Sequence, residues 1–255
     1  MQFALVVFPM NINTLRFDSI GSTNTEAANQ ARQGADEGLC VIAREQSAGR
    51  GRHGRVWVSD PDSGLYFSIV LRPKLYPKYL PLITLMAGVA VYDTLKEFGL
   101  KPDIKWVNDV LIGDKKISGI LAETVDTPTG NAVIVGIGIN LKSSNFPQEI
   151  AETATSIQAE QSDAVTSGNV EGALIKFLSY WYEIFKSDCG PTEVIQNWRA
   201  RSSYFSGKAV RVTLPDGVLE GTTDGLEENG ALRVKASDGS VTIVQAGDVE
   251  RLREI

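Results

Sequence analysis

Hydrophobic and polar positions change period several times along the chain. Between Thr23 and Ala31, Ala27, Ala28 and Ala31 recur at helical spacing. Thr23 with Glu26 three residues later forms a capping-box pattern, and Gly34 marks the stop. Residues 39–44 and 65–71 are short apolar runs of strand length. A longer apolar run over 79–98, closed by Gly99, predicts a helix. Residues 103–112, 117–125 and 132–141 predict three strands, joined at Gly113-Asp114 and Thr127-Pro128-Thr129-Gly130-Asn131. Strands that meander through such short turns make a mixed or antiparallel sheet. Within 170–186, Leu174, Phe177, Leu178, Trp181 and Phe185 form a helical stripe that belongs to the core. Pro191 suits the first turn of a further helix running to about Ser202.

From Ser206 the texture changes. Pro215-Asp216-Gly217, Glu228-Asn229-Gly230 and Ser237-Asp238-Gly239 are hairpin-grade turns separating short β-rich runs at 209–212, 231–234 and 241–244. The expected organisation is an α/β (α+β) domain over 1–205, followed by a small β-barrel or sandwich over 206–255.

Composition narrows the function classes. A net charge of −6 and a pI near 5.0 argue against a general nucleic-acid binder. The apolar start, Met1 to Pro9, lacks a basic leader and is too short to span a bilayer, so it reads as an opening strand or arm. Cys40 and Cys189 make neither a disulfide framework nor a metal spacing. His53 is the only histidine, which argues against a histidine-based metal site or a Ser-His triad.

Against that acidic background, Gln46-Ser47-Ala48-Gly49-Arg50-Gly51-Arg52-His53-Gly54-Arg55-Val56-Trp57 stands out. Glycines let a backbone approach a ligand closely, and arginine forks bind phosphate or carboxylate. Gly49-x-Gly51-x-x-Gly54 mimics a dinucleotide fingerprint, but Val56-Trp57-Val58 reads as a strand and a turn follows it, where that fingerprint needs a helix. Ser22-Thr23-Asn24 gathers hydroxyl, amide and backbone donors at a helix N-terminus; plain capping is the bland alternative. On a continuous strand, Lys105, Val107 and Asp109 share one face and Asn108 takes the other, unless the strand ends or bulges there. Lys116 with Gly119 three residues on, and Gly136-Ile137-Gly138-Ile139-Asn140, suggest a ligand lying over bare backbone. Anion-clamping arginines, two lysines and amides, with no nucleophile–base pair, fit positioning catalysis on a nucleotide phosphate.

Ser22-Thr23-Asn24, Gly49-Arg50-Gly51-Arg52-His53-Gly54-Arg55-x-Trp57, Lys105-Trp106-Val107-Asn108-Asp109, Lys116-x-x-Gly119-Ile120-Leu121-x-Glu123 and Gly136-x-Gly138-Ile139-Asn140 occur in the order seen in biotin protein ligases. The chain resembles that family over about 15–255. It departs at Val107, where the family usually has proline, and at His53, commonly arginine or another large residue there.

The resemblance implies a catalytic domain like those of class II aminoacyl-tRNA synthetases, with an SH3-like C-terminal barrel. It implies activation of biotin by MgATP to biotinyl-5′-AMP, then transfer to a lysine of a biotin carboxyl carrier protein. Ser22, Thr23, Asn24 and Gln46 would hold the biotin ring. Arg50, Gly51 and Arg52 would close over carboxylate and phosphate, and Lys116 would contact both. Arg55, Trp57, Lys105, Asn108, Gly119 and Asn140 would serve the adenylate, and Asp109 would orient the lysines or the incoming amine. No dedicated metal site, nucleic acid or membrane partner is implied, and the expected setting is a cytoplasmic monomer or homodimer. A lipoate- or octanoate-transferring enzyme of the same fold is the nearest rival. A ligase–repressor would need a DNA-binding module before Ser22, where only about twenty residues stand.

Overall fold

The computed structural model describes residues 10–143, 146–161, 165–214, 217–245 and 248–251. A seven-stranded sheet carries β1 (Asn13–Ile20), β2 (Leu39–Gln46), β3 (Gly64–Leu71), β4 (Pro102–Lys105), β5 (Asp109–Ile112), β6 (Lys115–Thr127) and β7 (Gly130–Asn140), in the order β1-β2-β3-β7-β6-β5-β4. Only β1 and β2 run parallel; the remaining neighbours are antiparallel, so the sheet is mixed as expected. A parallel pair needs a crossover, and α1 (Thr23–Arg32) supplies it. The other helices are α2 (Leu82–Glu97), α3 (Ile157–Glu160), α4 (Ser167–Phe185) and α5 (Gly190–Arg199).

Strand alternation divides the sheet into two unlike faces. On β3, Leu65, Phe67, Ile69 and Leu71 join the large core that contains α2 and α4, as do Val133, Val135, Ile137 and Ile139 on β7. The opposite face packs Val70, Ala132 and Ile134 against Ala27, Ala28 and Ala31 of α1. Farther along that face, past the apolar contact with α1, stand Ser68 and Tyr66 on β3 and Gly136, Gly138 and Asn140 on β7. Polar or missing side chains there leave room above the sheet. Arg72 donates to the Ala31 and Ala35 carbonyls at 3.2 and 2.9 Å, anchoring the C-terminal end of α1. The other end of α1 is thereby held over the open part of the face.

Several elements differ from the sequence expectation. β1 has no clear apolar alternation and was not predicted; its exposed positions make it a sheet edge. The run 103–112 is not one strand but the hairpin β4–β5, in which Lys105 pairs with Asp109 across Trp106, Val107 and Asn108. The Trp106–Val107 peptide is cis. α2 starts at Leu82, after a 3₁₀ turn at Pro77–Tyr79, because Pro81 stands at its N-cap. α5 ends at Arg199, short of Ser202. Val56 makes only an isolated bridge to Arg50 in place of a strand over 56–58. The stretch Met1 to Pro9 lies outside the described residues.

The second sheet comprises β8 (Ser206–Leu214), β9 (Gly217–Leu226), β10 (Leu232–Lys235), β11 (Val241–Val244) and β12 (Asp248–Arg251), ordered β11-β10-β9-β8-β12. The expected barrel is not closed: among the described residues β11 and β12 remain the two edges. β9 and β12 escaped the sequence analysis because Glu220, Thr222, Asp224, Asp248 and Glu250 break the apolar signal. Residues 215–216 of the first predicted turn lie outside the described residues. At the second turn, Gly230 adopts φ +83 and lies against Leu82 and Leu85 of α2; a Cβ there would come within 2.8 and 2.9 Å of them. The buried Trp106 indole donates to the Gly230 carbonyl at 2.9 Å. The second sheet is thus bonded to the β4–β5 hairpin. No helix of the described residues is long and apolar enough to cross a membrane.

The core placement of β2 makes a chemical prediction. Burial, with Glu171 nearby, pushes the Cys40 thiol up to about 12, whereas Cys189 is exposed. Thiolate is the reactive form. At pH 8, Ellman's reagent is expected to titrate one thiol in the native chain and two after denaturation. Rapid reaction of both in the native protein would contradict the placement of β2.

Candidate active site

The N-terminus of α1 opens onto the polar part of the sheet face. Ser22 is the N-cap but makes no side-chain capping bond, so the expected Thr23–Glu26 box does not form. Thr23 is instead the first helical residue. Its amide donates to Gln46 Oε1 at 2.8 Å, and its hydroxyl stands 3.1 Å from the same oxygen. Gln46 Nε2 donates to Ser59 Oγ at 2.9 Å. Asn24 Nδ2 donates to the Leu121 carbonyl at 3.2 Å and to Glu123 Oε2 at 2.9 Å. Ser22, Thr23 and Asn24 are buried, and these bonds offset the cost of removing the polar atoms of Thr23 and Asn24 from water.

The floor beside this network is made by glycine. Gly119 on β6 and Gly138 on β7 face each other in register. The Trp57 ring lies over both: a Cβ would come 2.9 Å from Trp57 Cζ3 at Gly119, and 2.4 Å from Cε2 at Gly138. At Gly136 a Cβ would stand 2.0 Å from Asn24 Oδ1. The sequence pattern suggested that these glycines let a ligand approach; in the structure they admit Trp57 and Asn24. The Trp57 indole N–H is buried and finds no acceptor among the described residues. An unsatisfied buried donor costs about 1–3 kcal/mol, which a ligand acceptor would relieve.

The glycine–arginine run folds back on itself. Gly51 N donates to the Arg55 carbonyl at 2.7 Å and Trp57 N to that of Gly49 at 3.0 Å. His53, at the tip, takes a left-handed conformation with φ 53. Arg50 forks onto Glu123 with contacts of 3.0 and 2.6 Å. Arg52 donates to Asn108 Oδ1 at 3.2 Å. Asn108 lies in the β4–β5 turn and is locked to Ile120 by two bonds: its Nδ2 donates to the Ile120 carbonyl at 3.0 Å, and its carbonyl accepts from Ile120 N at 2.9 Å. Asp109 pairs with Lys116 at 2.6 Å and with Lys105 at 3.9 Å. These two residues meet because β5 pairs with β6, not because one strand alternates. The Lys116 backbone is pinned by Thr153 and Thr155, and its ammonium lies 5.5 Å from the Trp57 ring centre.

These groups surround a cavity of about 270 Å³. Its lining includes Ser22, Thr23, Asn24, Gln46, Arg50, Gly51, Arg52, Arg55, Trp57, Asn108, Asp109, Lys116, Gly119 and Asn140. Among the sequence-predicted residues Lys105 is absent from the lining; its ammonium stands 3.9 Å from Asp109, which lines the cavity. Asn140 donates to the Thr155 carbonyl at 3.0 Å, fixing the segment 146–155 beside Lys116. From that segment Phe146, Ile150, Thr153 and Ala154 line the cavity and were missed, as was Tyr66. An isolated aromatic before Pro147 in a polar run was the only available signal. Burial, with Asp60 and Asp62 nearby, raises the Tyr66 phenol above its ordinary range; it stays protonated and donates to the Asp60 carbonyl at 2.9 Å.

Comparison with known proteins gives a consistent answer. The model of the biotin/lipoate A/B protein ligase family matches residues 16–140, and that of the biotin protein ligase C terminal domain matches 205–252. The biotin--[acetyl-CoA-carboxylase] ligase of Paracoccus denitrificans is 32% identical, covering 88% of this chain and 95% of that protein. The bifunctional ligase/repressor BirA of Bacillus subtilis is also 32% identical, over 98% of this chain and 77% of its own length. Among solved structures, biotin protein ligase from Aquifex aeolicus in complex with biotin and ATP aligns with a TM-score of 0.82 and 29% identity, covering 95% of this chain and 99% of that one.

The glycine floor can be tested without any ligand. Gly138→Ala is expected to drive the Trp57 ring off β7 into a more polar setting. The fluorescence difference between this chain and its Trp57→Phe variant reports that ring alone. It should shift to longer wavelength when Gly138→Ala is added to both. An unshifted difference spectrum would mean that the ring does not rest on Gly138.

Proposed function

The chain belongs to the biotin/lipoate A/B protein ligase family and is a biotin protein ligase with biotin and ATP as substrates; on that premise we propose how its groups divide the work. The biotin ring takes the uncharged end of the cavity, against Ser22, Thr23, Asn24 and Gln46. Its carboxylate points toward Lys116 and the Arg50–Gly51–Arg52 loop. The adenylate side falls to Arg55, Trp57, Asn108, Gly119 and Asn140.

One observation carries this reading. Hydrogen-bonded amide and hydroxyl side chains and a set of cations line one cavity, and among the described residues that lining includes no cysteine or histidine. Such a site favours charge stabilisation and positioning over covalent catalysis by the protein. A carboxylate oxygen of biotin attacks the α-phosphorus of MgATP, and pyrophosphate leaves. Mg²⁺ arrives on the triphosphate and needs no dedicated protein cage. The Lys116 ammonium offsets the charge that builds on the α-phosphate, and Asp109 holds that ammonium in place. In the second step, a lysine amine of a biotin carboxyl carrier protein or domain attacks the carbonyl carbon of biotinyl-5′-AMP. The C–O bond to phosphate breaks, AMP leaves, an amide forms and the amine proton passes to solvent. The compartment is the cytoplasm, in keeping with two unpaired cysteines.

Incubation with MgATP, biotin and a carrier domain is expected to add one biotinyl group to one carrier lysine, read by mass spectrometry. Loading of lipoate in place of biotin would overturn the assignment. Lys116→Ala is expected to slow biotin-dependent pyrophosphate release by roughly a hundredfold or more, with circular dichroism unchanged. Release at the wild-type rate would move the role to Lys105.

A further inference from the structure

Ser68 lies in the middle of β3, fully buried and outside the cavity lining. No sequence motif pointed to it. Its Oγ stands 2.6 Å from Asn24 Oδ1 and 2.8 Å from Thr23 Oγ1. It therefore joins two chains of hydrogen bonds. One runs through Thr23 and Gln46 to Ser59. The other runs through Asn24 and Glu123 to Arg50.

Counting protons fixes the polarity of this junction. Asn24 Nδ2 is used by Leu121 and Glu123, so Oδ1 is the atom turned toward Ser68. An amide oxygen only accepts, so the single Ser68 hydroxyl proton goes to Asn24. Ser68 Oγ is then an acceptor toward Thr23. The single Thr23 hydroxyl proton has two protein acceptors, Ser68 Oγ at 2.8 Å and Gln46 Oε1 at 3.1 Å. Thr23 Oγ1 is left with a lone pair to offer the cavity.

We propose that Ser68 is a positioning residue that sets Thr23 as a hydrogen-bond acceptor and fixes the Asn24 amide, so that the cavity selects a cyclic urea. The inference rests on the assignment of Thr23 and Asn24 to the biotin ring. The ureido ring carries two N–H donors, whereas a dithiolane or a plain acyl chain has none. A site whose polar groups are prearranged for such donors rejects ligands that leave those groups unpaired. Ser68 does this without touching the ligand: its proton holds Asn24 Oδ1 at 2.6 Å, and its oxygen, nearer to Thr23 than Gln46 Oε1 is, takes the Thr23 proton on the side away from the cavity.

The test is steady-state kinetics of biotin-dependent pyrophosphate release by the full chain. Ser68→Ala is expected to raise the KM for biotin roughly 10- to 100-fold, with kcat and the KM for ATP within about twofold of wild type. Loss of uniform binding has this signature; general loosening of the fold does not. Ser68→Cys keeps a weak donor and should give an intermediate biotin KM, and it provides the measurement if the alanine variant does not fold. Thr23→Val removes the acceptor at nearly constant shape. If Thr23→Val raises the biotin KM but neither Ser68 variant does, the role of Ser68 is overturned alone. If Thr23→Val leaves the biotin KM unchanged, the ring assignment falls and the inference falls with it. A Ser68 variant that raises both KM values together, or lowers kcat alone, also overturns the proposal.

Discussion

Three positions on two paired strands carry no side chain, and the site depends on that. Gly119, Gly136 and Gly138 lie on the same stretch of sheet face, where any Cβ would collide with Trp57 or Asn24. Elsewhere on this face Ala132 and Ile134 pack against the alanines of α1 and close the gap. Where glycine replaces them, the sheet keeps its hydrogen bonds but gives up its packing. A glycine in a strand weakens it, yet β7 stands between β3 and β6 with full ladders on both sides. The cost is thus met at the strand best able to bear it, and the cavity sits on rigid backbone.

Charge follows a matching logic. The chain is acidic overall, yet its cavity gathers arginine and lysine. Arg50 rests on Glu123, Lys116 rests on Asp109, and Arg52 is held by the amide of Asn108. A partly buried cation left without a counter-charge would be costly. Glu123 and Asp109 supply that counter-charge. In the proposed reaction the ligand meets cations whose carboxylate partners already hold them in place.

Much of this was legible in the sequence, for identifiable reasons. The chemistry-bearing residues announced themselves because arginine and glycine rarely alternate by chance in an acidic chain. The apolar runs of β2, β3 and β7 read as strands because both faces of the sheet there are covered. What stayed hidden depended on pairing at a distance. Alternation put Lys105 and Asp109 on one face of one strand, but a tight turn made them partners across a hairpin. Phe146 and Ile150 enter the cavity through a loop with no periodicity at all. Ser68 looked like a polar interruption of an apolar run, and only the approach of α1 gives it neighbours. In β9, Glu220, Thr222 and Asp224 interrupt the apolar signal and hide the burial of Thr223 and Gly225.

The bond from the Trp106 indole to the Gly230 carbonyl has a consequence for cooperativity. Among the described residues the second sheet contributes nothing to the cavity lining, yet its turn holds the residue next to Lys105 and two before Asn108. Opening that sheet would free a buried carbonyl and a buried indole at once, and would release the hairpin that carries Asp109. Subglobal opening in proteins tends to follow such joined units. The bond thus ties together two pieces of structure that about a hundred residues of chain separate, so that loosening either one exposes polar groups in both.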